Sequence, residues 1–328
     1  MDDLPVNLGL YRFAVLTAVA TILLIVAGGL VTSTESGLSV PDWPTTYGQN
    51  PFTFPISKWV GGIRFEHTHR LIASTVGLLT VVLAVWLARR EPRAWVRRLG
   101  YAALGAVIAQ GVLGGLTVIF LLPTAVSVAH ACLAQTFFCL IVTLAVVTSP
   151  AWRDSRAVEA DAVSLAAAVT LGMVFLQLLM GAVMRHTKAG LAIPDFPLAF
   201  GRLVPPFTSF PVAIHFAHRV GAVLVTLLAI TCWAAARRSG RADLKGTAAT
   251  LVGLVLFQIA LGAATVLSRK DVTLTTGHVA TGALVLGTAL ILALKSRREA
   301  SASREAATRK STVSTSERPT QVGREVVA

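Results

Sequence analysis

Eight apolar stretches, each long enough to cross a bilayer, are the feature that most constrains how this chain folds. A transmembrane helix needs ~20 mostly apolar residues to cross the hydrocarbon core. The stretches, called spans 1 to 8, lie at about residues 11–31, 69–88, 99–119, 125–147, 162–184, 214–236, 247–267 and 273–295. Their hydropathy does not alternate with the period of two that marks a membrane β-strand. The sequence therefore predicts an all-α integral membrane protein with eight transmembrane helices.

The composition agrees with this class and excludes others. Of the 328 residues, 54% are hydrophobic and only 14% are charged, whereas soluble domains carry about 25% charged residues. A soluble enzyme and a disordered chain are thereby excluded. The net charge of +13 would suggest nucleic-acid binding in a soluble protein. In a membrane protein, the same surplus usually marks the loops on one face.

The basic residues predict the orientation of the spans, since short cytoplasmic loops collect Lys and Arg. With a cytoplasmic N-terminus, 20 of the 29 basic residues fall on the cytoplasmic side: Arg12, five between spans 2 and 3, two between spans 4 and 5, four between spans 6 and 7, and eight from Lys295 onward. We therefore predict a multi-pass cell-membrane protein with both termini cytoplasmic and no nucleic-acid partner. Residues 1–10 are the predicted cytoplasmic N-terminus, 148–161 a cytoplasmic linker, and 296–328 a disordered basic cytoplasmic tail.

The two halves of the membrane region repeat each other. The segment Gly-Leu-Ser-Val-Pro-Asp-Trp-Pro at 37–44 returns as Gly-Leu-Ala-Ile-Pro-Asp-Phe-Pro at 190–197. Further matches follow in the same order, 148 or 149 residues apart: His69-Arg70 with His218-Arg219, Gln110 with Gln258, Gly114 with Gly262, and His130 with His278. Each half has four spans, so both enter the membrane in the same direction. We expect two tandem-repeated four-helix bundles, residues 11–147 and 162–295, each able to hold a ligand between its helices.

Four histidines occupy these matched positions: His69, His130, His218 and His278. At ~1.5 Å per residue, each lies within roughly 10 Å of the outer end of its span. A single histidine here would most often be a packing residue, but four at matched positions indicate a functional site. Two neutral imidazoles from one bundle suit the axial ligation of haem iron, whereas zinc sites normally recruit more protein ligands. Small residues thin the facing helices, although they also serve ordinary membrane helix packing; they are Gly111, Gly114, Gly115 and Gly262.

The halves differ at Glu66, which aligns with His215. A carboxylate three residues before His69 faces the same side of a helix as that histidine. This asymmetry favours one catalytic site and one cofactor site, with Glu66 in the catalytic one. The alternative is that Glu66 pairs with Arg64 or Arg70, or interacts with the helix N-terminus.

With these motifs, the sequence resembles the haem A synthase family over about residues 10–295. The resemblance rests on the 37–44 loop, the Glu66-x-x-His69-Arg70 and His218-Arg219 segments, and one histidine each in spans 4 and 8. It implies oxidation of the C8 methyl of haem O to a formyl group by successive hydroxylations, giving haem A for terminal oxidases. By this resemblance, Glu66 is the essential carboxylate. The implied iron ligands are His69 and His130 for the substrate haem and His218 and His278 for a haem b cofactor.

Arg70 and Arg219 follow two of these histidines. A bidentate pairing with haem propionates is plausible for both, and snorkelling toward the lipid headgroups is the alternative. His67 and His215 match no clear family role, and we interpret them as residues supporting the ligands or lying at the interface. His186 is predicted to be solvated in the second outer loop.

The resemblance also suggests partners. They are haem O as substrate, the lipid bilayer, haem O synthase, oxidase assembly factors and an unidentified electron-transfer partner. Some family members carry a Cys pair in the first outer loop, but this chain has no Cys between Val31 and Arg64, so a thiol-dependent step is not implied. Two other functions stay open at this point: a di-haem b-type membrane cytochrome that only transfers electrons, and a transporter built on parallel repeats.

Overall fold

The computed structural model describes residues 7–159 and 161–300. Eight of its helices are long and apolar enough to cross a membrane, which confirms the all-α membrane class. They are span 1 (Leu8–Ser33), span 2 (Ile63–Arg90), span 3 (Ala94–Ile119), span 4 (Thr124–Thr148), span 5 (Ala162–His186), span 6 (Phe210–Arg238), span 7 (Ala242–Leu267) and span 8 (Val272–Ser296).

Spans 2, 5 and 6 extend further at their predicted outer ends than their apolar stretches indicate. Span 2 begins at Ile63 rather than at 69, and span 6 begins at Phe210 rather than at 214. The extra residues of span 2 include Glu66 and His67, which contact the first outer loop, whereas the extra residues of span 6, 210–213, are apolar. Span 5 continues to His186, which is half-buried. The prediction that His186 is solvated in the outer loop is therefore wrong.

The helices pack within each half and then between halves. In the first half each span contacts the next along the chain, and span 4 contacts span 1; spans 5 to 8 repeat this pattern. The halves meet where span 1 contacts span 8 and where span 4 contacts spans 5 and 8. Gly287 of span 8 lies against Phe138 of span 4, since an added Cβ would come 3.0 Å from the phenyl ring. A glycine is needed at this close approach.

At the predicted cytoplasmic end, each half has an equivalent anchoring contact between two of its spans. Arg93 Nη2 donates to Val147 O at 2.9 Å, and Arg241 Nη2 donates to Lys295 O at 3.1 Å. Each bond ties the start of one span to the end of the next, at positions 148 residues apart in the sequence.

The segment before span 5 and the segment after span 8 also meet at this end. A helical turn, Pro150–Arg153, precedes the strand Ser155–Ala157, which pairs antiparallel with Arg298–Ala300. Residues 298–300, assigned from the sequence to a disordered tail, therefore form a strand, because the linker between the halves offers them an edge. The rest of that predicted tail, 301–328, lies outside the described residues, as do residues 1–6 and 160.

The two outer loops fold alike around matched aspartates. Asp42 accepts hydrogen bonds from Tyr47 N at 2.7 Å and Gly48 N at 2.8 Å. Asp195 accepts the equivalent bonds from Phe200 N and Gly201 N, both at 2.8 Å. The turns require glycine at 48 and 201, where φ is +73° and +71°, a region that glycine enters without steric cost.

Candidate functional site: paired histidines

The four matched histidines lie in one layer near the outer ends of the spans. His69, His130 and His278 come six residues after the first residue of their helices, and His218 comes eight after. At ~1.5 Å per residue, this places them roughly 9–12 Å below the helix starts. The structure thus brings the predicted ligands of each half to a common depth.

Each of these imidazoles lies against a glycine of the preceding span. A Cβ built on the glycine would come within 3.0–3.3 Å of the histidine Cε1, closer than nearly all real Cβ contacts. The four pairs are Gly28 with His69 at 3.1 Å, Gly114 with His130 at 3.3 Å, Gly181 with His218 at 3.1 Å, and Gly262 with His278 at 3.0 Å. The glycines therefore let the rings approach a neighbouring helix closely.

Three of these glycines follow a glutamine by four residues, on the same helix face. The glutamine amide donates to the backbone carbonyl of the docked histidine. The bonds are Gln110 Nε2 to His130 O at 2.9 Å, Gln177 Nε2 to His218 O at 2.7 Å, and Gln258 Nε2 to His278 O at 2.9 Å. In span 1 the corresponding position is Leu24. Sequence reasoning missed Gly28, Gly181 and Gln177, although the recurring Gln-x-x-x-Gly pattern in apolar spans was a usable signal.

In the second half, the two histidine rings lie close together. The ring centres of His218 and His278 lie 6.5 Å apart, with their planes at 69°. Two collinear metal–imidazole bonds of about 2.0 Å each place ring centres roughly 6 Å apart. The pair therefore fits a single metal held between two imidazoles, as haem iron is held by two axial ligands.

Hydrogen bonds at Nδ1 orient both second-half rings. Nδ1 of His278 lies 3.1 Å from Gln258 O, and Nδ1 of His218 lies 3.1 Å from the Gln177 amide nitrogen. Nε2 of His278 has only a long approach, 3.4 Å, from the Gln258 amide. At His278, an Nδ1–H that donates to the Gln258 carbonyl fixes the ring and leaves Nε2 available to a metal. The Gln177 amide instead donates to Nδ1 of His218, which orients the ring but places the proton of a neutral imidazole on Nε2.

The first-half rings have weaker contacts of this kind. The backbone carbonyls of Leu24 and Gln110 interact with the rings of His69 and His130, but the buried Nδ1 atoms of both rings make no hydrogen bond of good geometry among the described residues. The two halves thus present similar histidine pairs that are oriented to different degrees.

Glu66 is buried, with 3% of its surface exposed. Its Oε1 accepts a hydrogen bond from Arg70 Nη2 at 2.7 Å, and its Oε2 accepts one from Val40 N at 2.8 Å. Of the alternatives left open from the sequence, pairing with Arg70 is the contact present. In the second half, His215 Nδ1 accepts from Ile193 N at 3.2 Å. The position therefore anchors the outer loop in both halves, and only the first half places a carboxylate there.

Arg70 and Arg219 also bind the outer loops. Arg70 donates to Val40 O, Asp42 O and Thr45 O at 2.7–3.0 Å, and Arg219 donates to Ile193 O, Asp195 O and Leu198 O at 2.7–3.1 Å. With the Glu66 bond, Arg70 uses both terminal nitrogens. A propionate contact by Arg70 would therefore fall to its Nε or replace one of these bonds.

His67 supports the first loop rather than the ligand pair. Its ring is fully buried, 4.7 Å from the centre of the Trp59 ring and 5.2 Å from that of Phe54. Gly115, expected to open a slot for a flat ligand, instead accommodates Trp43, whose indole would lie 2.6 Å from an added Cβ. The space beside Gly111 is open.

The sites are two-histidine sites. Within residues 7–159 and 161–300, no group of three or more His, Cys, Asp or Glu side chains gathers as a metal site. Two protein ligands suit an iron whose remaining in-plane positions are filled by a porphyrin, whereas a structural zinc uses four.

Fold and site together define a class: multi-pass helical membrane proteins with paired histidines in two related halves. The model of the cytochrome oxidase assembly protein family (COX15-CtaA) matches residues 11–59 and 62–290. The chain belongs to this family.

Curated relatives cover most of the chain. A heme A synthase from Symbiobacterium thermophilum is 32% identical over 255 residues, 74% of this chain and 80% of the relative. One from Shouchella clausii is 31% identical over 279 residues, covering 82% and 90%. One from a Caulobacter species is 31% identical over 339 residues, covering 90% and 96%.

Proposed function

We propose that this chain is a haem A synthase, an oxidoreductase that converts the C8 methyl of haem O to a formyl group by successive hydroxylations. The observation that carries the proposal is the pair of matched two-histidine sites, each ring docked on a glycine at one depth. Family membership and relatives named heme A synthase support it. A di-haem electron carrier would need the histidines and a loop anchor at this position, but it would not need a negative charge at the anchor of one half only.

We assign the substrate to the first half and a resident haem b to the second. Hydrogen bonds to the second nitrogen of a ligating histidine typically strengthen metal binding 10- to 100-fold. Nδ1 of His278 makes such a contact with the Gln258 carbonyl, whereas Nδ1 of His69 and of His130 makes no hydrogen bond of good geometry among the described residues. A cofactor must stay bound and a product must leave, so the better supported pair suits haem b.

The chain's own residues prepare the reacting half. The resident haem supplies one-electron redox chemistry when bound. His69 and His130 hold the substrate iron and so fix the porphyrin within the bundle. Glu66, shielded from water and fixed by Arg70 and Val40, stabilises positive charge that develops at the oxidised methyl, or orients a water toward it. Such interactions are strong in a dry site. After the second hydroxylation, the geminal diol loses water to give the formyl group.

The orientation follows from the basic residues. Arg93, Arg153 and Arg241 lie at the helix ends opposite the histidine layer. With basic loops inside, both termini are cytoplasmic and the haem sites face the outer side of the cell membrane. The activity further requires a supplier of haem O, such as haem O synthase, oxidase assembly factors that accept haem A, and an electron-transfer partner.

Haem extraction from the purified protein tests this function. After expression with a supply of haem O, chromatography and mass determination should find haem b together with haem O or haem A. His218→Ala and His278→Ala should abolish retained haem b. His69→Ala and His130→Ala should keep haem b and abolish haem A formation. Two equivalents of haem b with no haem O or A would instead indicate an electron-transferring cytochrome, and the opposite partition would reverse the assignment of the halves.

A further inference from the structure

Arg185 is a half-buried cation in the wall between the two halves. It precedes the last residue of span 5, and its Nη2 donates to Gly29 O at 2.9 Å and to Ser33 Oγ at 2.8 Å in span 1. By the 153-residue spacing of the outer-loop repeat, its counterpart in span 1 is Thr32, which is neutral. At these matched positions, only the second half therefore carries a positive charge, and that residue donates its hydrogen bonds to the first half.

Span 1 is in contact with both histidine sites at this point. Gly28 lies against the ring of His69. Gly29, the next residue, lies against span 8, where an added Cβ would come 3.4 Å from Thr276 and 3.6 Å from Val279. These two residues flank His278 in the sequence. One turn of span 1 therefore lies between the two histidine sites, and Arg185 donates to a backbone carbonyl of that turn.

A side-chain hydrogen bond continues from this turn to the ligand helix. Thr276 Oγ1 donates to Ser33 Oγ at 3.1 Å, so Ser33 joins Arg185 to the segment that carries His278. In a medium of low dielectric constant, a fixed positive charge favours the less positive redox state of a nearby haem.

We propose that Arg185 is a fixed charge between the two haem sites that raises the reduction potential of the haem held by His218 and His278. This inference rests on the proposed placement of haem b. It gives Arg185 an electrostatic role that requires its charge and not only its hydrogen bonds. The second half can then hold an electron more readily than the same histidine pair would without the cation.

Redox titration of the resident haem, followed by its absorbance in the purified full-length protein, tests the charge. The protein is prepared without a haem O supply, so that only haem b is bound. Arg185→Gln should shift the midpoint potential to a more negative value, and Arg185→Lys should leave it near wild type. Ser33→Asp places a carboxylate beside Arg185 and should give a negative shift while the arginine remains. Ser33→Asn is the neutral control and should titrate like wild type.

Three results overturn the inference. The first is an unchanged midpoint in haem-loaded Arg185→Gln. The second is a shift in Ser33→Asn as large as in Ser33→Asp, because the hydrogen bonds and not the charge would then be responsible. The third applies if Arg185→Gln does not fold: equal midpoint potentials for Ser33→Asp and Ser33→Asn then reject the proposal. A wild-type protein without haem b, or haem b retained by His278→Ala, refutes the placement of haem b itself, a separate failure.

Discussion

Glu66 and Arg70 form a buried ion pair on the first turns of span 2, with Oε1 and Nη2 2.7 Å apart. Both residues also bind Val40 of the first outer loop, Glu66 at its amide and Arg70 at its carbonyl. The second half keeps the arginine but replaces the carboxylate with His215, which still accepts the equivalent loop amide. The anchoring role is thus common to both halves, and the negative charge is specific to the first.

Glu66→Gln should therefore separate chemistry from anchoring. The amide keeps an acceptor for Val40 N but removes the charge, so haem b retention should be unchanged while haem A formation falls about 100-fold, as when one electrostatic group is removed from an active site. Haem analysis by chromatography measures both. Glu66→Ala should also lower the free energy of unfolding by about 1–3 kcal/mol, because buried donors lose their acceptor.

His215→Gln is the matched control for Glu66→Gln. It makes the same replacement at the equivalent loop anchor and should not change haem A yield. A wild-type yield of haem A from Glu66→Gln would show that the position serves only to hold the loop.

The four glycines under the histidines predict a partition of defects between the halves. Gly181→Val and Gly262→Val insert side chains where even a Cβ would be 3.0–3.1 Å from the imidazole, so the rings must move and haem b should be lost from the purified protein. Gly28→Val and Gly114→Val should retain haem b and lose haem A formation. The absorbance spectrum and haem extraction report the two outcomes.

Gly105 and Gly253 provide the control for these substitutions. They are matched glycines on spans 3 and 7 with open space at the Cβ position. Valine at either site should leave haem content unchanged. If Gly262→Val retained haem b as well as Gly253→Val does, close docking of the rings would not be required for binding.

The sequence allowed the eight spans and the common depth of the four matched histidines to be predicted, because hydropathy and residue spacing can be read directly along the chain. It did not predict the partners of the histidines. Gly28, Gly181 and Gln177 lie on different spans from the rings they contact, so only packing brings them together. Likewise, the apolar stretches did not predict the first residues of spans 2 and 6. In span 2 these residues include Glu66, which accepts a hydrogen bond from Val40 of the loop above.

The first outer loop should depend on pH through Asp42. Burial raises the pKa of this carboxyl, but hydrogen bonds from Gly48 N, Thr45 Oγ1 and Tyr47 N outweigh burial and hold the pKa below its ordinary value. The loop is then stabilised at all pH values above about 4 and loses that stabilisation as pH falls through the lowered pKa. Protection of residues 45–48 against hydrogen exchange, measured relative to the intrinsic exchange rate at each pH, should fall only in this acid range.

Asp42→Asn tests the origin of this acid sensitivity. The variant cannot ionise, so protection of its loop should already be low at neutral pH and should change little on acidification. Acid-accelerated exchange that persists in Asp42→Asn would assign the effect to another group.

Gln177 of the second half is matched by Leu24 in the first half. We therefore expect substitutions at these two positions to change how firmly each half retains its haem. Gln177 donates to His218 O at 2.7 Å and lies 3.1 Å from its Nδ1, whereas Leu24 has no side-chain amide to donate to His69. Gln177→Leu should weaken haem b binding roughly 10- to 100-fold, the usual cost of losing an outer hydrogen bond to a metal ligand. Competition with apomyoglobin for the haem measures this change.

Leu24→Gln makes the converse change. An amide opposite His69 should orient the ring and slow release of the product, so haem A should co-purify with the variant while multiple-turnover formation of haem A falls. Leu24→Met, similar in size but without a hydrogen-bond donor, should behave like wild type. We explain the release of haem from the first half by the lack of these contacts. A Leu24→Gln protein that retains no more haem A than Leu24→Met would refute this explanation.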